Sequence, residues 1–304
     1  MNLDPRYPTI PLGDWIADLI DWMTSTFAGF FHFVQVFLTA IYDGISTSLS
    51  APLYLIMIAI FAAIAWFAGS WRLALFTVIG FYLIRGMDLW EHSMQTITLV
   101  FMAVVLALLF AIPLGILASK VDGVSRVIRP ILDFMQTMPA MVYLVPAITI
   151  FSVGIVPGAV ATVIFAMPPG VRLTELALRQ VDAELVEAGK SFGATAWRIL
   201  WQIQVPVAMP TIMAGVNQVI MLALSMVVLA GMAGADGLGG DVVGSLATLN
   251  VSLGMSAGVA VVIIAIWLDR VSNGLSKGDR RKKRKRPTPQ DHTPQDSTDG
   301  AATA

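Results

Sequence analysis

Residues able to do chemistry are sparse in this 304-residue sequence, and their spacing excludes most of it. There is no cysteine, so disulfides, thiolate nucleophiles and Cys-ligated metals are excluded. The three histidines, His32, His92 and His292, are scattered without HExxH spacing, and no metal site is expected. Gly189-Lys190-Ser191 looks like the end of a phosphate-binding GxxxxGK[ST] loop. Glu184 stands where the first glycine belongs, and a carboxylate there repels phosphate. No nucleotide or other cofactor is therefore expected on this chain. The stretch GADGLGG at 234–240 lacks dinucleotide spacing and reads as a flexible turn. Asn250-Val251-Ser252 fits a glycosylation acceptor only formally.

The elements that must position the remaining polar groups are set by composition. Hydrophobic residues make up 57% of the chain and charged residues 13%, about half the charge of a soluble domain. A helical bilayer span needs about 20 mostly apolar residues. Segments 52–69, 73–84, 94–119, 140–153, 158–168, 206–232 and 251–268 qualify or come close, which predicts seven spans in an all-α membrane protein. The run 27–45 is an eighth if it crosses. The favoured reading is interfacial, because Trp15, Ile16, Leu19, Trp22 and Met23 recur at helical spacing upstream against Asp14, Asp18 and Asp21. The acidic N-terminus with Arg6 as its only base is not a signal peptide.

Lys and Arg placement orients the spans. Lys120, Arg126 and Arg129, then Arg172, Arg179, Lys190 and Arg198, then Arg270 and the run 280–286, fall in loops separated by even numbers of spans. All can face the cytoplasm together, with the C-terminus, while Asp88, Glu91, Asp236 and Asp241 face outward. The net charge of −1 hides this split: residues before Lys277 sum to −5 and the rest to +4. The tail RRKKRKRPTPQDHTPQDSTDGAATA reads as disordered, with its basic block against anionic membrane lipid rather than nucleic acid.

One long loop, 172–205, carries a surface helix ending near Gly193, then an amphipathic turn with Trp197, Leu200 and Trp201 leading into Pro206. Ala188 and Gly189 are small enough for close approach to a partner. Gly193 permits a sharp turn between helices, Glu187 offers a carboxylate, and Pro206 starts the next helix where a missing N–H costs nothing. The loop packs on its own protein or docks a soluble one.

The pattern Glu187-Ala188-Gly189, Gly193, Ile203, Val205-Pro206 resembles the EAA loop of the membrane subunits of bacterial ABC importers, with Gly189 and Val205 as its two departures. DFMQTMPAMVYLVP at 133–146, the stretch 168–188 and the stretch 206–239 are similar to the quaternary-amine branch, whose substrates are glycine betaine, proline or choline. The resemblance covers about residues 90–270. It implies the type I importer fold, with a five-helix core at 93–270 holding the coupling loop 172–206. It also implies an N-terminal region 1–50, accessory helices 51–92 and a tail 271–304. Implied partners are a second copy of the chain, two ATP-binding subunits and an external binding protein at the bacterial inner membrane. The chain itself would be no enzyme. Glu187, Ala188, Gly189, Gly193, Ile203 and Pro206 would carry the coupling.

Candidates for a translocation path are Gln136, Pro139, Tyr143, Asn217, Gln218 and Ser225. Asn217 and Ser225, eight apart, share a helical face. Tyr143 could offer a cation–π face to a methylated nitrogen. Pro139 and Pro146 are expected to break a helix, and broken helices line paths in transporters. Interhelical hydrogen bonding and core packing are the plainer fates of Asn217 and Tyr143. No span has an Asp, Glu, Lys or Arg near its middle. This weighs against an intramembrane enzyme and against the alternative of an ion-coupled secondary transporter.

Overall fold

Apolar runs of this length have one economical solution in lipid, the helix, which satisfies its backbone internally. The computed structural model describes residues 11–283, and among these every regular element is helical. In chain order they are α1 (Leu12–Thr26), α2 (Ala28–Ser50), α3 (Tyr54–Ala68), α4 (Trp71–Gly86), α5 (Trp90–Lys120), α6 (Asp122–Thr137) and α7 (Leu144–Phe151). Then follow α8 (Ile155–Arg179), α9 (Ala183–Ser191), α10 (Ala196–Ile199), α11 (Val205–Ala230), α12 (Leu238–Thr248) and α13 (Val251–Lys283).

Five stretches are long and apolar enough to cross a membrane: α2, α5, α8, the continuous α10–α11 stretch and α13. A sixth is the α6–α7 pair, bent by 109°. The expected segments at 52–69 and 73–84 are helices of 15 and 16 residues, short for straight spans. Helix α1 is the amphipathic element and buries no side chain. Helix α2, favoured above as interfacial, has the length and composition of a span and sets Leu38 against Phe151 and Val156.

Five expectations need correction. The segment 140–153 is not one span. It is a tight turn, Ala140–Tyr143, followed by the eight-residue α7. The segment 158–168 does not stop at Pro168: α8 continues through Pro168 and Pro169 to Arg179. Prolines are tolerated there because neighbouring helices support the freed backbone, and Pro168, Pro169 and Gly170 are all buried. Residues 172–179 thus belong to a helix, and the loop expected from 172 begins only after Arg179. The glycine stretch 234–240 is no flexible turn either. Leu238 is fully buried, and its N–H donates to Thr96 Oγ1 at 2.9 Å. Part of the tail is also helical, since α13 runs to Lys283; the tail beyond it lies outside the described residues.

Helices α5, α8 and α11 form the centre. Their backbones approach closely because the facing residues are small. A Cβ at Gly115 would lie 2.6 Å from Thr174 Cβ and 2.8 Å from the Val171 carbonyl; one at Gly170 would lie 2.9 Å from Ala111 Cβ. The α3–α4 hairpin packs on α13 through Phe61, Phe81 and Trp267, whose ring centroids are 5.0–5.7 Å apart.

Candidate functional site

The end of α8 and the start of α11 enclose a projecting knob. Asp182 caps α9, its side chain accepting from the Glu184 N–H at 3.1 Å. After Ser191 the chain turns back. Phe192 N–H donates to the Ala188 carbonyl, Gly193 N–H to that of Lys190 and Ala194 N–H to that of Gly189. Gly193 has φ of +74°, the left-handed region where a side chain is strained. Thr195 then caps α10, accepting from Arg198 N–H. Five residues of looser π-helix, Leu200–Gln204, join α10 to α11, with Pro206 its second residue.

Within the knob, two groups of the expected coupling residues separate. Gly189 is buried against Ile203 and Ile199, and a Cβ there would come within 2.8 Å of Ile203 Cδ1. These residues fold the knob on itself. Glu187 and Ala188 are exposed, and Glu187 makes no salt bridge among the described residues. The residue that sequence reasoning missed is Phe192. Its apolar side chain is 92% exposed. It falls one residue past the helix end, where the turn at Gly193 redirects the chain. Trp197 and Trp201, one turn apart and edge-to-face at 5.5 Å, are also exposed.

The path candidates have different surroundings. Gln136 and Pro139 are exposed at the α6–α7 bend, Pro139 standing at the break itself. Pro146 lies within the first turn of α7, where its missing N–H is harmless. Tyr143 is buried and its hydroxyl donates to the Met135 carbonyl across the bend. Asn217 Nδ2 donates to Asn273 Oδ1 on α13 at 2.7 Å. Gln218 is exposed, and so is Ser225, which donates to its own helix at Met221.

A second polar constellation was hidden by the expected end of α8. Arg172, Glu175 and Arg179 lie on one face of α8, opposite Ser125, Arg129 and Asp133 on α6. Glu175 Oε1 accepts from Ser125 Oγ (2.7 Å), Arg129 Nη2 (2.9 Å) and Arg179 Nε (2.9 Å). Arg179 Nη2 also donates to the Ala118 carbonyl on α5 and to Asp122. Arg172 pairs with Asp133. The 3- and 4-residue spacings are helical, and were legible once residues 172–179 were assigned to a helix.

Apolar helices long enough to cross a membrane, with a small exposed knob between two of them, define a multi-span membrane protein. Residues 111–277 match the family described as "Binding-protein-dependent transport system inner membrane component", and the chain belongs to it. It is thus a multi-pass inner-membrane permease component with the type I importer fold. Among its relatives is the glycine betaine transport system permease protein OpuAB of Bacillus subtilis, 48% identical over 89% of this chain and 96% of the relative. The glycine betaine/proline betaine permease protein ProW of Escherichia coli is 41% identical over 93% of this chain and 80% of the relative. A solved structure of the inward-facing MetNI methionine ABC transporter has a TM-score of 0.57 at 20% identity, covering 62% of this chain and 95% of that one, a likeness of fold. Nothing in these findings favours an ion-coupled transporter.

Proposed function

We propose that this chain is the permease of an ATP-driven importer for glycine betaine or a related methylated amine, and that its knob docks a separate ATP-hydrolysing subunit. The observation carrying the docking role is the exposed array of Glu187, Ala188 and Phe192 on a short capped helix. A buried Gly189–Ile203 contact joins that helix to the start of α11. An exposed aromatic side chain such as Phe192 is of the type enriched where protein partners dock. The substrate class rests on the names of the 48% and 41% identical relatives. Two copies of the chain would pair with two ATPase subunits and receive substrate from an external binding protein. The knob and C-terminus would face the cytoplasm, and the basic tail would contact anionic lipid. The chain would perform no catalysis of its own.

Nucleotide-driven closure of the ATPases would move the knob, and the helices would pass between two states with different contacts. The test is reconstitution of the chain with its ATPase and binding protein in vesicles. Uptake of labelled glycine betaine should require ATP. Glu187→Lys with Gly193→Asp should abolish uptake while the protein still inserts, since one reverses the docking charge and the other strains the left-handed turn. ATP hydrolysis by this chain purified alone, or uptake unaffected by the double substitution, would overturn the reading.

A further inference from the structure

We propose that the polar seam between α6 and α8 transmits knob movement to the α6–α7 bend, and that Glu175 is the positioning residue at its centre. The inference rests on the importer reading above and adds a site that neither the EAA pattern nor the path candidates include.

The seam joins two elements with different attachments. Helix α8 is continuous from Ile155 to Arg179, and the knob's cap, Asp182, follows three residues later. A displacement of the knob is therefore delivered directly to the last turns of α8. Helix α6 leads instead into the 109° bend that carries Gln136, Pro139 and Tyr143. Tyr143 is tied back to α6 by its hydrogen bond to Met135. Tyr143 also packs on Phe165 of α8, so moving α6 relative to α8 loads the bend that lies between them.

The contact between them is built to change partners. Glu175 is only 4% exposed, and one carboxylate oxygen takes three donors from two helices. Around it the seam is open. A cavity of about 330 Å³ lies between Arg129, Asp133, Arg172, Glu175, Leu176 and Arg179. The side chains of Arg129 and Asp122 are 60% and 79% exposed. Hydrogen bonds beside water can be exchanged for hydrogen bonds to water at small net cost, whereas interdigitated backbones cannot part without opening a void. Buried ionic contacts add little stability over apolar packing, and a registry or switching role is their best-attested use. On its other side α8 is held to α5 and α11 by close contacts such as Gly170 to Ala111. α6 adds only a small apolar patch to the seam, Leu132 against Val171 and Ala111, and so is the neighbour of α8 with the least close-packed backbone to part.

The experiment uses the assembled transporter in vesicles, with glycine betaine uptake and ATP hydrolysis measured in the same preparation. Glu175→Gln should leave assembly and basal hydrolysis within about twofold but lower import per ATP by about tenfold, the scale of losing charge-assisted hydrogen bonds. Glu175→Asp, which keeps the carboxylate, should recover most of that loss. A purely structural role would reduce assembly, hydrolysis and import together. The absence of cysteine allows spin labels at Val127→Cys on α6 and Gln180→Cys at the end of α8. Their separation should change by roughly 2 Å or more on nucleotide trapping, the scale of interfacial helix shifts. An unchanged separation in an importing wild-type complex, or an unchanged import-to-hydrolysis ratio in Glu175→Gln, overturns the seam. A wild-type complex that fails to import with its ATPase overturns the importer reading on which the seam depends.

Discussion

The two faces of α8 hold their neighbours by opposite means. Toward α5 and α11 the contact is dry and made of small residues: Gly115 against Thr174, Gly170 against Ala111 and Val219, Gly215 against Leu173. Toward α6 a small apolar contact, Leu132 against Val171, stands beside a ladder of charges around Glu175 and an open cavity. In lipid there is no hydrophobic force between helices, so packing and hydrogen bonds must hold them. Close packing gives a rigid unit because every displacement opens a void. Charged contacts near water give a joint. One helix thus belongs to a fixed core and also to a movable seam.

The largest expected effect breaks the dry side. Gly115→Val would place Cβ 2.8 Å from the backbone carbonyl of Val171, which cannot rotate away. A loss of about 3 kcal/mol or more is expected, read as a failure to recover folded permease by size-exclusion chromatography. A well-folded variant would mean that the α5–α8 contact is looser than described. The polar side should respond differently. Glu175→Leu removes the shared acceptor of Ser125, Arg129 and Arg179 and should cost about 2.5 kcal/mol in detergent unfolding. Combining it with Arg129→Met should recover part of that loss, because an apolar side chain then replaces one of the stranded donors. Recovery in stability without recovery of import would separate what holds the seam from what moves it.

A smaller effect is expected at the knob. Phe192→Ala should weaken binding of the ATPase subunit by about 2 kcal/mol, roughly thirtyfold, with the chain's own unfolding unchanged. Equal binding would assign the exposed ring to another surface.

Much of this was legible from sequence. The knob was, because its signals are local: a cap at Asp182, small residues at 188 and 189, a glycine at 193 and a proline at 206. Apolar runs without charge, such as the one inside α5, were equally clear. The seam was not, because Pro168-Pro169 reads as a helix end by local rules. Only packing against α5 and α11 carries α8 through them, and without that extension Arg172, Glu175 and Arg179 look like loop charges. Phe192 was passed over for the converse reason: apolar periodicity places a side chain on a face but does not say that the face has ended. The glycines at 234–240 look flexible until Thr96, far away in sequence, and the backbone of Val227 at the end of α11 are placed against them.

The smallest effect concerns a contact of intermediate kind, a polar link between α11 and α13 beside apolar packing. Asn217 Nδ2 donates to Asn273 Oδ1, while Asn273 Nδ2 is held by the Asp269 carbonyl at 2.8 Å and its carboxylate at 2.7 Å. Asn217 Oδ1 is buried without a partner. Asn217→Leu removes one interhelical hydrogen bond, worth about 0.6 kcal/mol in membrane proteins, and also removes the cost of the unpaired oxygen. The two oppose each other, so the unfolding midpoint should hardly move and the KM for glycine betaine should stay within about twofold. The neighbouring Gln218 is exposed and provides the contrast. If it borders the path, Gln218→Leu should raise KM while leaving stability alone. A KM that rises with Asn217→Leu instead would mean that the orphan oxygen meets substrate in another state. The α11–α13 contact would then belong with the movable seam rather than with the rigid core.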